Sequence, residues 1–429
     1  MIQLRFHIVL TWMAVTCWLS ASLAGMAGEA GGPHRKGPLA ALPSPPGATI
    51  GKLNALGDDE WLVLGVPAED PKWGRARGRS WSCAMPFAAN LHGAFLFGEG
   101  VHGWWDQKTG RYMDDLWFYD VLGHRWICVY PGTEVKGYRK VLTEDGFEAD
   151  ADGRPVPVAS MVHAYEMVTY DTDSRRFLSM PCSGDYWDAI EGRREFLQQQ
   201  KDRLNRLQAS PWMYDTVGGR WDRCRTKSAS PPSGFGDTLV YLAPHKKTFF
   251  YHPGHGVYYY DLAANDWTEV KAQGPLPPFG IDSTCCYDSV RDRIYLGGGS
   301  YPVTKGDNAF WIWDVKSGSW VDPKPKGRPC NGSNSYATNV ATMHYDSAND
   351  VVLVFRHTGQ AQERGVFAYN PQHNEWTAPS GLPERWPRGQ VNGFYDPTLN
   401  VHFFHVAGDS DDNGVIVVYR YKRVENQAR

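Results

Sequence analysis

The sequence predicts an all-β protein built from a repeated four-stranded unit, and two recurring motifs support this prediction. In the first motif, an aromatic residue and an Asp or Asn are followed by a Trp, six positions after the Asp or Asn. The motif occurs five times, as Tyr119-Asp120…Trp126, Tyr214-Asp215…Trp221, Tyr260-Asp261…Trp267, Trp313-Asp314…Trp320 and Tyr369-Asn370…Trp376. A fixed spacing that recurs along the chain is typical of a repeat architecture.

The second motif is a Tyr-Asp pair that ends a β-prone run and is followed by a short polar turn and another apolar run. Clear copies are Tyr170-Asp171, Tyr287-Asp288, Tyr345-Asp346 and Tyr395-Asp396, with weaker copies at 87–97 and 241–250. This pattern is the signal of a β-hairpin. Together the two motifs predict units with strands a, b, c and d, in which the spaced Trp begins strand d. Such a unit is a β-propeller blade.

The number of units predicts six blades. Five complete units begin near residues 81, 160, 235, 281 and 335, and a sixth begins near 389 but has no strand d. The segment 58–64, which contains Trp61, has the character of the missing strand. It would complete the last blade and remove the open edge of the ring. We expect the spaced Trp residues to pack between neighbouring blades, where large aromatic side chains bury much apolar surface.

These motifs resemble the kelch-repeat family over about residues 58–422. The family's double glycine is clear at Gly297-Gly298 and is reduced to single glycines in other units. Two exported members of known activity serve as references. The seven-bladed galactose oxidases use a Cys–Tyr crosslink that we cannot place here. The six-bladed sialic acid epimerases are closer in architecture, but none of their catalytic residues can be matched.

The ends of the chain and two insertions lie outside the repeat. Residues 1–27 are expected to form a secretory signal, with a retained anchor as the alternative. Residues 28–57 are expected to be a flexible linker rich in Gly and Pro, and 423–429 a tail. Residues 132–158 enlarge one loop, and a second insertion is expected to form a short helix near 186–208. The protein is thus predicted to be secreted or periplasmic.

Composition excludes some partners and leaves the cysteines open. The net charge is −3 and the pI is near 6.5, so nothing indicates a nucleic-acid partner. After signal cleavage no apolar stretch is long enough to span a membrane. Cys182 and Cys224 are candidates for a disulfide bridge. Cys285 and Cys286 are expected to be two buried thiols rather than a vicinal disulfide.

The b–c and d–a loops of a propeller share one face, here called the loop face, and the a–b and c–d turns form the opposite turn face. Six Trp residues that are not explained by strands fall in the loop face: Trp73, Trp81, Trp104, Trp105, Trp187 and Trp386. Indole rings stack on sugars, although the same residues could instead pin long loops. The predicted ligand-binding residues are Trp104, Trp105, Trp187, Trp81, Trp386, His102, Arg356 and His357.

Metal binding and catalysis have weaker signals. His252 and His255 have chelating spacing, and Asp409 and Asp411 match the first half of a calcium loop. Arg420, however, replaces the Glu that such a loop requires. No cofactor is predicted, and calcium or a His-bound metal is left open. The catalytic candidates are Asp237, Asp282 and His163, which begin strands a near the mouth of the central channel.

The leading functional hypothesis is an exported binding module, with a glycan or a protein as its ligand on the loop face. The alternative is a carbohydrate-active enzyme (an epimerase, lyase or hydrolase) with its site at the channel mouth. A structural scaffold is the third hypothesis.

Overall fold

The computed structural model describes most of the predicted repeat region and little of the two chain ends. The described residues are 37–79, 84–98, 105–106, 108–136, 138, 140–157, 164–180, 190–204, 210–228, 231–234, 237–274, 276–277, 281–301, 310–327, 341–356, 364–383, 390–407 and 413–424. The expected secretory signal lies outside them. None of the helices in these residues is long and apolar enough to cross a membrane.

Six sheets of four antiparallel strands form a ring, as predicted. In the order a, b, c, d, blade 1 is β2 (Phe87–Ala88), β3 (Gly93–Phe97), β6 (Leu116–Asp120) and β7 (Arg125–Tyr130); blade 2 is β10 (Val168–Asp171), β11 (Arg176–Ser179), β12 (Trp212–Asp215) and β13 (Arg220–Arg223); and blade 3 is β14 (Thr238–Leu242), β15 (Lys247–His252), β16 (Gly256–Asp261) and β17 (Asp266–Val270). Blade 4 is β18 (Ile281–Asp288), β19 (Arg293–Tyr301), β20 (Phe310–Asp314) and β21 (Ser319–Val321); blade 5 is β22 (Ala341–Asp346), β23 (Val351–Arg356), β24 (Gly365–Asn370) and β25 (Glu375–Ser380); and blade 6 is β26 (Gln390–Asp396), β27 (Val401–Ala407), β28 (Val415–Arg420) and β1 (Glu60–Gly65).

The remaining elements are short and lie outside the blades. They are the helices α1 (Ala48–Ala55), α2 (Arg193–Gln199) and α3 (Lys201–Leu204), a 3-10 turn (Ala243–His245), and the two-stranded sheets β4 (Trp105–Asp106) with β5 (Arg111–Tyr112) and β8 (Val141–Leu142) with β9 (Glu148–Ala149). The predicted helical insertion is therefore confirmed over α2 and α3.

The ring is closed by the N-terminal strand. β1 pairs antiparallel with β28, and Trp61 lies opposite Tyr419 in the register. The Trp61 ring packs 4.6 Å from that of Tyr419 and meets Phe355 of blade 5 at 6.1 Å between ring centroids. The last blade is thus made from both ends of the chain, and no blade is left with a missing outer strand.

The spaced Trp residues pack between neighbouring blades, as predicted. In blade 3, Trp267 shares an apolar cluster with Leu178 and Met213 of blade 2. Trp126 of blade 1 lies 5.0 Å from the ring of His405 in blade 6. The corresponding centroid distances, each from a Trp to a ring of the preceding blade, are 5.4 Å for Trp221–Phe97, 4.8 Å for Trp320–Tyr251 and 5.0 Å for Trp376–Phe310. Burial of these indoles between sheets joins neighbouring blades by apolar contact.

A turn geometry that is repeated from blade to blade explains why Tyr and Asp recur together. In blade 4, Oδ1 of Asp288 accepts hydrogen bonds from the backbone N–H groups of Val290 and Arg291, at 2.9 and 3.0 Å. The hydroxyl of Tyr287 donates to Asp292, at 2.8 Å, and Asp292 holds a left-handed backbone with φ of 59°. The Asp carboxylate thus holds the backbone of the turn, and the Tyr hydroxyl holds the side chain of the last turn residue.

The same arrangement recurs in other turns. Turn N–H groups donate to Asp120, Asp171, Asp215, Asp261, Asp314, Asp346, Asn370 and Asp396. Tyr hydroxyls bond the side chain five residues later in the pairs Tyr119–His124, Tyr260–Asn265, Tyr345–Asp350, Tyr369–Asn374 and Tyr395–Asn400.

Polar side chains also link neighbouring a–b turns on the turn face. In order from blade 2 through blades 3, 4, 5 and 6 to blade 1, the links are Tyr241–Asp173, His245–Asp292, Arg291–Asp350, Tyr395–Asp346 and His92–Asp396. We call this set the turn girdle. It joins five successive pairs of blades near the centre of the ring, where the innermost strands lie side by side.

Residues 37–56 differ from the flexible linker that composition predicted. Leu39, Leu42 and Leu53 are buried, and Leu39 and Leu42 join the apolar cluster of blades 1 and 2. The hydroxyl of Ser44 donates to Asp120 at 2.5 Å. The leucines are spaced among the Gly and Pro residues so that they can reach the blades, and their burial orders the segment.

The two insertions are joined through a buried ion pair. Arg193 of α2 donates two hydrogen bonds to Glu148 of β9, each at 2.7 Å, and Tyr138 donates a third at 2.5 Å. Burial opposes ionisation of Glu148, but Arg193 outweighs it and lowers the pKa of this carboxyl. Two segments that break the repeat at separate points of the chain therefore form one unit.

The described cysteines are thiols. Cys285 and Cys286 are buried thiols rather than a vicinal disulfide, as expected. Cys224 is also a buried thiol, so the alternative of a Cys182–Cys224 bridge is not realised.

Substitution of the ring-closing indole should destabilise the whole propeller. Trp61→Ala is expected to lower the free energy of unfolding by about 3 kcal/mol, because it removes aromatic packing against both blade 5 and blade 6. Denaturant unfolding followed by Trp fluorescence measures this loss. Val63→Ala, on the same strand but 53% exposed, is the matched control and should change stability little. Equal effects of the two variants would contradict the closure argument.

Replacing one partner of the ion pair between the insertions should lower stability more than replacing both partners. Arg193→Met leaves Glu148 as a buried charge without its counter-ion, and about 3–5 kcal/mol of stability should be lost. The double variant Arg193→Met with Glu148→Leu should recover part of that loss. Thermal unfolding checks both, with Arg194→Met, at an exposed neighbouring position, as the control. A double variant that is no more stable than Arg193→Met would contradict this account.

Candidate functional site

The structure describes a minority of the predicted site residues with their side chains. Four of them, Trp105, Arg356, His252 and His255, lie on or beside strand ends, and Asp237 precedes β14. Asp282 lies in β18, but its side chain is outside the described part. The residues that lie wholly outside the described ranges are Trp81, Trp104, Trp187, Trp386, His102, His357, His163, Asp409 and Asp411.

Trp105 is presented to solvent by a short, braced hairpin in the b–c loop of blade 1. Trp105 lies opposite Tyr112 in the register of β4 and β5 and is 40% exposed. Oδ2 of the next residue, Asp106, forms an ion pair with Arg77 at 3.1 Å, and Oδ1 accepts from the N–H of Lys108. The indole is therefore exposed on a fixed support, and it is the one exposed Trp in the described ranges.

Trp73, by contrast, is a loop Trp that is covered by other residues. It is partly buried and packs on the apolar cluster shared by blades 1 and 6. The ammonium of Lys72 and the guanidinium of Arg111 lie over its ring, 4.6 and 5.0 Å from the centroid. Covered in this way, Trp73 fixes its loop, and of the two described loop tryptophans only Trp105 is available to a ligand.

Arg356 lies at the end of β23 and is 1% exposed. Its neighbours in the sheet register are Ala341 and Gly365. The structure thus does not bring Arg356 to the same solvent-exposed surface as Trp105.

One catalytic candidate and one metal candidate are brought together in blade 3. Thr238 at the start of β14 lies opposite Tyr251 near the end of β15, so the flanking residues Asp237 and His252 meet at the loop face. Oδ1 of Asp237 is 2.5 Å from Nδ1 of His252, and the N–H of Gly234 donates to Oδ2 at 2.7 Å. The sequence placed both residues at this face but did not predict their pairing.

The electrostatics of this pair suit proton transfer. Asp237 is fully buried, and burial raises the pKa of its carboxyl to about 6 despite the opposing contribution of His252. The carboxylate therefore forms near neutral pH and fixes which imidazole nitrogen carries a proton. The side chain of His252 is 13% exposed. A histidine held by a buried carboxylate is the arrangement of a general base.

A metal at this face has no further support from the described residues. The rings of His252 and His255 are 4.5 Å apart, but Asp237 occupies Nδ1 of His252. Within the described ranges, no three His, Cys, Asp or Glu side chains form a group that could hold a metal ion. A His-bound metal and a calcium site at Asp409 and Asp411 stay predictions.

Glu166 is a buried acid that the sequence analysis did not single out. It precedes β10 and lines a cavity of about 470 Å³ at the centre of the ring. Burial raises the pKa of its carboxyl to about 8, and the hydroxyl of Thr284 in blade 4 donates to Oε1 at 2.9 Å. The sequence did contain a signal for this residue, because Glu166 lies within the apolar run of residues 164–168. An acidic side chain is almost never fully buried unless it has a partner.

Comparison with known proteins identifies no family. No protein-family model matches the chain, and no curated protein matches its sequence. Among solved structures, a GH74 xyloglucanase from Xanthomonas campestris is similar with a TM-score of 0.41 and 11% sequence identity, over 86% of this chain and 55% of that one. The chain thus spans about half the length of that protein. Similarity at this level carries no information about activity.

Replacement of the buried acid should remove a pH dependence of stability. The folded-state pKa of Glu166 is raised, so its stabilising contribution is complete below the unfolded pKa of 4.5 and is lost as the pH rises towards 8. The free energy of unfolding should therefore fall by about 3 kcal/mol more between pH 5 and 8 in the parent than in Glu166→Gln. Urea unfolding at the two pH values measures it.

The matched control is Glu269→Gln, which makes the same chemical change at an exposed position on β17. It should retain the pH dependence of the parent protein. An equally steep pH dependence in Glu166→Gln would show that other groups cause it.

Proposed function

We propose that this protein is an exported six-bladed propeller that binds a glycan on its loop face. The observation that carries the proposal is the exposed indole of Trp105 on its braced hairpin. A flat aromatic side chain held at the surface offers a stacking platform for a sugar ring, and its fixed position lowers the entropy lost on binding.

Polar groups beside the platform support a sugar rather than an apolar ligand. Asp106, Arg77 and Arg111 surround the base of the hairpin with carboxylate and guanidinium groups. Such groups exchange hydrogen bonds with hydroxyls. We also propose that the protein is exported and related to kelch-type propellers. The remaining loop tryptophans are proposed to contact the ligand as well.

A second candidate function is favoured by the pair of Asp237 and His252. If the ligand reaches blade 3, His252 can take or return a proton, which is the step that epimerases, lyases and hydrolases of sugars share. The protein would then be a carbohydrate-active enzyme, with Asp237 as the residue that orients His252. Ligand binding is common to both candidates, and turnover separates them.

Glycan binding can be tested with one surface variant and its control. Trp105→Ala should weaken binding to the glycans recognised on an array by about tenfold, because stacking and buried area are lost. Val290→Ala, at an exposed position on the turn face, should leave binding unchanged. If no glycan on the array binds, or if Trp105→Ala binds as well as the parent, Trp105 is not a sugar-stacking platform. If only a protein ligand is captured, the proposed glycan ligand is wrong.

Catalysis can be tested separately by assaying a panel of oligosaccharides for product. If turnover is found, His252→Gln should lower kcat by about 10²–10⁴-fold, and Asp237→Asn should lower it by misorienting the imidazole. His245→Gln is the matched control, since His245 also pairs with an Asp but lies in the turn girdle. Turnover should fall as the pH drops below about 6, where Asp237 becomes protonated. If a glycan binds but no product forms, the protein is a glycan-binding protein rather than an enzyme.

A further inference from the structure

The central cavity is a site distinct from the loop face. It is lined by residues of strand a from all six blades, or residues next to it, and extends to the a–b turns, where Ala243, Ser289, Ser347 and Pro397 line it. It therefore reaches towards the turn face. Its volume of about 470 Å³ lies in the range of pockets that hold small molecules.

The chemistry of the cavity wall is one acid in mainly apolar surroundings. Met85, Leu239, Met343 and Phe394 supply apolar surface. Glu166 is the single carboxyl group among the described lining residues, and no Lys or Arg lines the cavity within the described ranges. A wall of this kind offers packing surface to an apolar body and a specific partner to one polar group.

The position of Glu166 is fixed by contacts on two sides. Its backbone carbonyl accepts from the N–H of Leu239 in blade 3 at 2.8 Å, and Thr284 of blade 4 donates to its carboxyl group. Glu166 is 6% exposed and lines the cavity. Among the described lining residues, no Lys or Arg supplies the charge that would complement a carboxylate here.

We propose that the central cavity binds a small primary amine with an apolar or aromatic body, with the ammonium group against Glu166. The body of the ligand packs on the apolar side chains of the inner strands. The ammonium supplies the counter-charge that the described wall lacks. The site is independent of the proposed glycan site, because Trp105 lies on the loop face and does not line the cavity.

Protonation links this binding to pH. The carboxyl group of Glu166 must release its proton to pair with an ammonium, and burial raises its pKa to about 8 despite the opposing hydrogen bond from Thr284. Other titratable groups line the cavity and face the same space: Cys285, Cys286, Tyr287, His344, Tyr345 and Tyr395. Protonation of His344 would also repel an amine at low pH, so a variant of Glu166 is needed to separate the two effects.

The test is isothermal titration calorimetry of the intact protein with phenethylamine and with its neutral counterpart 2-phenylethanol. Phenethylamine should bind about twentyfold more tightly at pH 8.5 than at pH 6.5, as expected for a group with a pKa near 8 that must be ionised. 2-Phenylethanol should bind more weakly and should not gain affinity with pH.

Two variants complete the test. Glu166→Gln should weaken phenethylamine binding at pH 8.5 by at least about tenfold and remove the part of the pH dependence that Glu166 causes, whereas Glu269→Gln should behave like the parent. Circular dichroism and thermal unfolding show whether each variant is folded. Absence of saturable phenethylamine binding to the parent, equal affinity for the alcohol, or unchanged binding by a folded Glu166→Gln variant would each overturn the proposal. Trp105→Ala should leave amine binding intact, so failure of one site does not imply failure of the other.

Discussion

Packing of one indole per blade in the apolar clusters between neighbouring blades is the constraint on which the rest of this structure depends. A single repeat unit cannot bury its hydrophobic face alone, so each blade needs a neighbour on both sides. Trp61 meets this need for the last blade, and the strand that carries it also removes the open edge. The two ends of the repeat region are therefore tied together, and the inner strands are fixed around a common centre.

The two faces of the ring differ in how their residues are used. On the turn face, buried carboxylates hold the tight turns, and the turn girdle links blade to blade, so most polar groups there already have partners within the fold. On the loop face the loops differ from blade to blade, and the insertions joined by Glu148 and Arg193 are added there. Loops placed on a rigid scaffold can change without loss of the fold, and for this reason we place the glycan site on that face.

The two buried acids near the centre have different environments and different consequences. Asp237 has an imidazole and a backbone N–H as partners, and its pKa is raised only to about 6. Glu166 has a neutral hydroxyl as its partner, and its pKa is raised to about 8. One carboxyl group is thus an orienting anion near neutral pH, whereas the other is an uncharged acid facing a cavity. Environment, rather than residue type, separates their roles.

The sequence by itself determined the fold class, the six blades and the closing role of Trp61, because these depend on local spacing that repeats along the chain. It also identified the loop face as the place where unexplained tryptophans gather. Only the tertiary structure decided that residues 37–56 pack on the blades, that Asp237 meets His252, and that Glu166 faces a central cavity. These contacts join residues from different strands or blades, and a one-dimensional pattern carries no information about which distant side chains meet or how deeply they are buried.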